Sequence, residues 1–200
     1  MADRDLALEE ILALKEIHYG PASGKSQAQL DAEFVHGMGT ANLPGARFAG
    51  GDLFQDFYDR VTTAFEALLL QPGWRNLLLV ANDGTNRMLL AWAGYGGLAS
   101  ARAFEQDPGC LNVIDADVAE GKILRRLIKL TNLTPINHSK LGNHLNSMEQ
   151  VLTIAGKSWP ASAMANNAIF PLQYRPGRPI KFPETNKTSR QAQVACALFI

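Results

Sequence analysis

Hydrophobic positions at spacings of three and four are densest between Leu53 and Leu70. Phe54, Phe57, Tyr58, Val61, Phe65, Leu68 and Leu69 lie on one helical stripe. Asp52 is the expected N-cap, and Gln71-Pro72-Gly73 ends the helix. Leu77-Leu78-Leu79-Val80-Ala81 follows as a continuous apolar run, short and bounded by turn formers. It predicts a buried strand of a parallel sheet. Asn82 to Asn86 then reads as a tight loop, with a second helix from Arg87 to Trp92. Cys110 to Asp115 is a further strand, Ala116 to Gly121 its turn, and Lys122 to Leu130 an antiparallel partner.

The rest of the chain is less regular. Residues 5–15 are helix-compatible but ambiguous. Residues 20–51, punctuated by Gly37, Gly39, Gly45, Gly50 and Gly51, predict a long excursion. Composition shifts near residue 155, which divides the chain into a domain over 1–155 and a tail over 156–200. Pro160, Pro171, Pro176, Pro179 and Pro183 make that tail irregular except for its last residues.

A length of 200 residues suits one domain with its own core. Nineteen basic and nineteen acidic residues cancel, so no global field draws in nucleic acid or an anionic membrane. Neither is expected as a partner. Cys110 and Cys196 have no metal-ligand spacing and read as small hydrophobes; no metal or cofactor is expected. The chain has no membrane-length apolar run and no secretory pattern after Met1, which makes a cytoplasmic protein the expectation.

Phosphate-loop, dinucleotide and His-Glu-x-x-His signatures are all missing. His138 and His144 sit in polar, turn-like sequence and read as surface residues. Two features carry chemistry. The turn after residues 77–81 would aim backbone N–H groups of a helix start at any anion placed there. Asn82, Asp83, Gly84 and Thr85 are therefore the candidate phosphate-binding residues, with a plain strand-to-helix turn as the alternative. Glu16 lies in Leu14-Lys15-Glu16-Ile17-His18-Tyr19-Gly20, where an apolar stretch meets a glycine. Partly desolvated there, it is a candidate general acid; the alternative is an exposed or salt-bridged glutamate.

Together these segments resemble the histidine phosphatase superfamily, the phosphoglycerate-mutase-like enzymes. Leu14 to Gly20 is similar to that family's Leu-x-Glu-x-x-x-Gly stretch. Leu77 to Trp92 resembles its second catalytic segment, in which a histidine follows the strand and Gly-Gly-Thr-Asn-Arg-x-Leu-Leu continues. Gly50-Gly51-Asp52 stands near the family's Gly-Gly-Glu-Ser. Residues 109–115 and 130–135 match its closing strands, and the resemblance runs over about residues 8–152. It implies a three-layer α/β/α fold, a phosphomonoester hydrolase ancestry and a phosphorylated small molecule as ligand or substrate. Oligomerisation is compatible with it. Glu16 and the position of Asn82 take the catalytic places.

The departures are specific. The family's nucleophile stands in Arg-His-Gly on a first, central strand. No Arg-His-Gly occurs in this chain, and His36-Gly37 falls within the excursion. Asn82 replaces the second histidine; its amide can donate a hydrogen bond but carries no positive charge. Asp83 adds a negative charge at the anion site, a repulsion on the order of 4 kcal/mol at about 4 Å and an effective dielectric near 20 if it points inward. The resemblance therefore implies a phosphatase-like protein that is impaired or inactive as this chain. The alternative is a non-catalytic module binding a phospho-ligand or a protein. For the missing first strand three arrangements are open: a truncated reading frame, a decayed paralogue, or a tail that refills the slot through Val194 to Ile200. A loosely packed terminus is the contrary expectation for that tail.

Overall fold

The computed structural model describes residues 9–134 and 190–197. Its architecture is α/β: helices packed on a mixed four-stranded sheet. A 3-10 turn at Leu12–Leu14 leads to α1 (Gln27–Thr40), α2 (Phe54–Leu70), β1 (Asn76–Val80), α3 (Asp83–Ala93) and the short α4 (Gly97–Ser100). The strands β2 (Leu111–Ala119), β3 (Lys122–Leu133) and β4 (Arg190–Ala197) follow.

The α2 stripe is the one the sequence predicts. Phe54, Phe57, Val61, Phe65, Leu68 and Leu69 are all buried. Phe65 meets Trp92 of α3 edge-to-face, ring centroids 5.2 Å apart. From Thr85 to Ala93 every residue of α3 is buried, between α2 and the sheet. Leu79, Ile114 and Ala116 supply the sheet's side of this core.

Four local expectations change. The excursion over 20–51 contains α1, started by a reciprocal capping box in which Ser26 and Gln29 each satisfy the other's backbone N–H. His36 falls within that helix. Helix α3 begins at Asp83, four residues earlier than its apolar pattern suggests, so the turn after β1 is only Ala81-Asn82. The β2–β3 hairpin turn shrinks to Glu120-Gly121. Both residues have positive φ, 51° and 68°, the backbone a two-residue type I′ turn requires. Asp52 does not cap α2; Leu53 stands at the N-cap without a side-chain bond, and Asp52 turns to His18 instead.

The strand order is β1-β4-β2-β3. β4, from the far end of the chain, runs parallel to β1, with Leu78 opposite Ala195, and antiparallel to β2, with Val113 opposite Ala195. The tail thus supplies a strand to the sheet's interior, as one of the three arrangements proposed. Among the described residues β1 is an edge strand rather than a buried one: Leu79 is buried, whereas Leu78 and Val80 are exposed.

At the other end of the hairpin, Asn132 has a positive φ of 51° where β2 and β3 slip register. Its side chain accepts from the Asp107 amide at 2.7 Å and its own amide donates to Asn112 at 2.9 Å. Cys110 lies beside this cluster, fully buried against Gln106. Burial pushes its thiol up to about 11, so it remains the inert small side chain the sequence suggests. Cys196 sits in β4, opposite Leu79 and Asn112. His138 and His144 lie outside the described residues.

Candidate functional site

Glu16 follows the 3-10 turn on an extended segment whose neighbours Leu14 and Ile17 are buried. Helices hold this segment from two sides. Arg60 of α2 donates to the carbonyls of Ala13 and Lys15 at 2.7 and 2.8 Å. Its guanidinium also lies over the Phe57 ring, 5.1 Å from the centroid. Thr85 of α3, fully buried, donates its hydroxyl to the Leu14 carbonyl at 3.1 Å. The Glu16 side chain is thereby delivered to the start of α3.

There its carboxylate meets backbone donors. Gly84 N–H donates to Oε2 at 2.8 Å, and Ile17 N–H donates to Oε1 at 2.7 Å. The Thr85 amide also bonds to it. Asn82 stands at the N-cap, exposed, and its side chain makes no capping bond. A remote glutamate therefore takes the place at the positive end of α3 that a capping side chain ordinarily fills. The fit is close: a Cβ added to Gly84 would lie 2.3 Å from Glu16 Oε1.

Burial raises the Glu16 pKa above the ordinary glutamate value. The Ile17 and Gly84 amides pull it down, the nearby Asp83 charge pushes it up, the Thr85 amide pulls it down, and burial prevails. The folded protein then holds this proton more tightly than the unfolded chain. The associated stability is complete below the unfolded-state pKa and is lost as pH rises through the folded one. The unfolding free energy of the natural chain, measured relative to Glu16→Gln by urea titration, is expected to decline as pH rises from about 4.5. A pH-independent difference would contradict this assignment.

Asp83 points along its own helix to Arg87, with Oδ1 bonded to Nε at 2.5 Å. Arg87 is nearly buried and also donates to the Phe104 carbonyl. Among the described residues its Nη2 has no hydrogen-bond partner, and neither has the Asn86 side chain. The inward or outward alternative for Asp83 thus resolves into an ion pair, and its charge reaches the turn largely compensated.

The Gly50-Gly51-Asp52 stretch packs directly against the Glu16 segment. Asp52 Oδ2 accepts from the His18 amide at 3.1 Å and lies 3.0 Å from His18 Nδ1. Gly51 must be glycine for steric reasons, since a Cβ there would lie 2.1 Å from the His18 carbonyl oxygen. Segments far apart in sequence are in this way brought to one end of β1.

The candidate site residues thus meet at the β1–α3 turn, where Glu16 joins Asn82, Asp83, Gly84 and Thr85. Neither Arg60 nor Arg87 was a candidate site residue, although Arg87 lies in the stretch similar to the family's Thr-Asn-Arg-x-Leu-Leu. Each is an arginine at helical spacing, and only its buried partners distinguish it from a solvated charge. Among the described residues no group of His, Cys, Asp or Glu is arranged to hold a metal ion. Nor is any helix among them long and apolar enough to cross a membrane.

The family model described as the histidine phosphatase superfamily (branch 1) matches residues 1–128. No curated protein and no solved structure matches the chain.

Proposed function

From a chain that belongs to the histidine phosphatase superfamily, we propose a protein that is phosphomonoester-hydrolase-like in descent and holds a phosphorylated small molecule without hydrolysing it. The observation that carries this reading is the β1–α3 turn. Asn82 stands where the resemblance places an imidazole, and the helix amides of Gly84 and Thr85 already hold an internal carboxylate. An amide side chain neither attacks phosphorus nor carries charge to a leaving oxygen. The turn retains donors for an anion: the exposed Asn82 amide, and the Gly84 and Thr85 N–H groups once Glu16 yields them. In this reading Glu16, Asn82, Asp83, Gly84 and Thr85 form the ligand site, and the protein is a cytoplasmic, non-catalytic relative of the family's enzymes.

The test is titration of the full chain with inorganic phosphate, followed by amide NMR, beside hydrolysis of p-nitrophenyl phosphate. Phosphate is expected to shift Gly84 and Thr85 while hydrolysis stays at the buffer rate and no phosphohistidine forms. Turnover through a phosphohistidine, or unmoved Gly84 and Thr85 resonances, would refute the proposal. Asn82→His alone is expected to leave hydrolysis at the buffer rate, because a second imidazole does not replace a missing nucleophile. Asp83→Asn removes the negative member of the ion pair and leaves the Arg87 charge in place. Phosphate is then expected to bind about tenfold tighter, a gain of about 1.4 kcal/mol, in the same titration.

A further inference from the structure

Tyr95 leaves the end of α3 with a φ of 60°, in the left-handed region that costs a bulky side chain free energy. Such a conformation persists where the surroundings over-determine it. Two contacts to Arg126 of β3 do so here. The Arg126 guanidinium lies 4.0 Å from the centroid of the Tyr95 ring, and 4.5 Å from that of Trp92. Trp92 is itself fixed, its indole N–H donating to Glu66 at 2.6 Å. The second contact is to the backbone: the Arg126 amide donates to the Tyr95 hydroxyl at 2.9 Å.

That amide belongs to a particular row. Among the described residues β3 is the outer strand of the sheet, with β2 on its inner side. In an antiparallel ladder alternate residues turn their N–H groups away from the partner strand. Arg126, opposite Ala116, is one of them, since its N–H goes to Tyr95; Ile128, opposite Ile114, is the next. The Tyr95 hydroxyl therefore takes the place of the carbonyl that a further strand would bring. The edge invites such a strand. It is 12 residues long, and its Leu124 is 62% exposed. Charge opposes self-pairing, because β3 carries Lys122, Arg125, Arg126 and Lys129 and no acidic residue. Asp117 and Asp115 answer only Arg125 and Lys129. Salt weakens this protection, as the Debye length falls to about 3 Å at 1 M. A hydroxyl seated on the ladder is indifferent to salt.

We propose that Tyr95 is a latch that closes the outer edge of β3 against a second copy of this chain. Its hydroxyl occupies the Arg126 donor, and the left-handed backbone together with the Arg126 stack holds it there. Opening the latch exposes a row of donors that a second β3 can use once the edge charges are screened.

The test uses the full chain, hydrogen exchange of single amides, and sedimentation velocity at about 1 M salt, where the charges are screened. In the natural chain the Arg126 amide is expected to exchange slowly and the Ile128 amide fast. Tyr95→Phe keeps the ring on Arg126 and lacks the acceptor, and should speed Arg126 exchange about tenfold or more. Tyr95→Gly has a backbone suited to the same φ. In high salt it is expected to associate as its concentration rises, with the Ile128 amide becoming protected. Slow Ile128 exchange in the natural chain would show an edge already covered and overturns the proposal. So does unchanged Arg126 exchange in Tyr95→Phe, a Tyr95→Gly chain that sediments like the natural one, or association that leaves Ile128 unprotected.

Discussion

Replacing Ala195 by proline is expected to remove most of the protein's stability, by at least about 3 kcal/mol. β4 has a neighbour on each side, β1 through Leu78 and β2 through Val113 at this position. In an interior strand every N–H faces one neighbour or the other, so no position tolerates the loss of a donor. The substitution leaves a carbonyl on an adjacent strand unpaired and forces the ring against the ladder. Small domains have only about 5–15 kcal/mol in hand, so the urea midpoint should fall sharply, with loss of sheet signal in circular dichroism. An unchanged midpoint would mean that residues 190–197 contribute nothing to the sheet, and the β1-β4-β2-β3 order would have to be abandoned.

Gly84→Ala is the second large effect, expected to cost about 2–4 kcal/mol. The added Cβ would lie 2.3 Å from Glu16 Oε1 and 2.9 Å from Cδ. A flexible side chain usually escapes such contact at little cost. Glu16 has no such freedom, because its oxygens are held by the Gly84 and Ile17 amides and it is largely buried. Moving it leaves buried donors unsatisfied and a carboxylate without its partners, each loss worth about 1–3 kcal/mol. The decisive measurement is a double-mutant cycle. In a Glu16→Ala background the clash is gone, and Gly84→Ala should be nearly neutral or slightly stabilising through its better helix propensity. A coupling energy of about 2 kcal/mol or more is expected; additive losses would show that the contact between position 16 and the start of α3 is not made.

The same contact underlies the proposed ligand site. A carboxylate whose pKa is raised by burial sits on the amides an incoming phosphate would use. Affinity for phosphate is then a competition between an internal anion and an external one.

Several features were legible in the residues alone. The α2 stripe from Phe54 to Leu69 and the apolar run before Asn82 are local patterns, fixed by the 3.6-residue period and by turn formers at their ends. The ordered motifs around Glu16, Gly50-Gly51-Asp52 and residues 77–92 were enough to indicate kinship with the histidine phosphatases, and the family match over residues 1–128 agrees. Helix α1 was missed although Ser26 and Gln29 announce its start, because its glycines, Gly37 and Gly39, argue for a loop. The early start of α3 was missed because Asp83 and Gly84 are ordinary turn formers. They become helical here because Glu16, distant in sequence, supplies the cap.

Sequence by itself thus determined α2, the apolar strand before Asn82 and the β2–β3 hairpin, and made Glu16 and the turn at Asn82 the candidate positions for chemistry. Their meeting, the pairing of Asp83 with Arg87 and the seat of β4 between β1 and β2 were decided only in three dimensions. The physical reason is the range of the interactions. Periodicity and capping act over a few residues and are written locally, whereas a strand's neighbours and a carboxylate's donors depend on backbone hydrogen bonds, which any residue but proline can make.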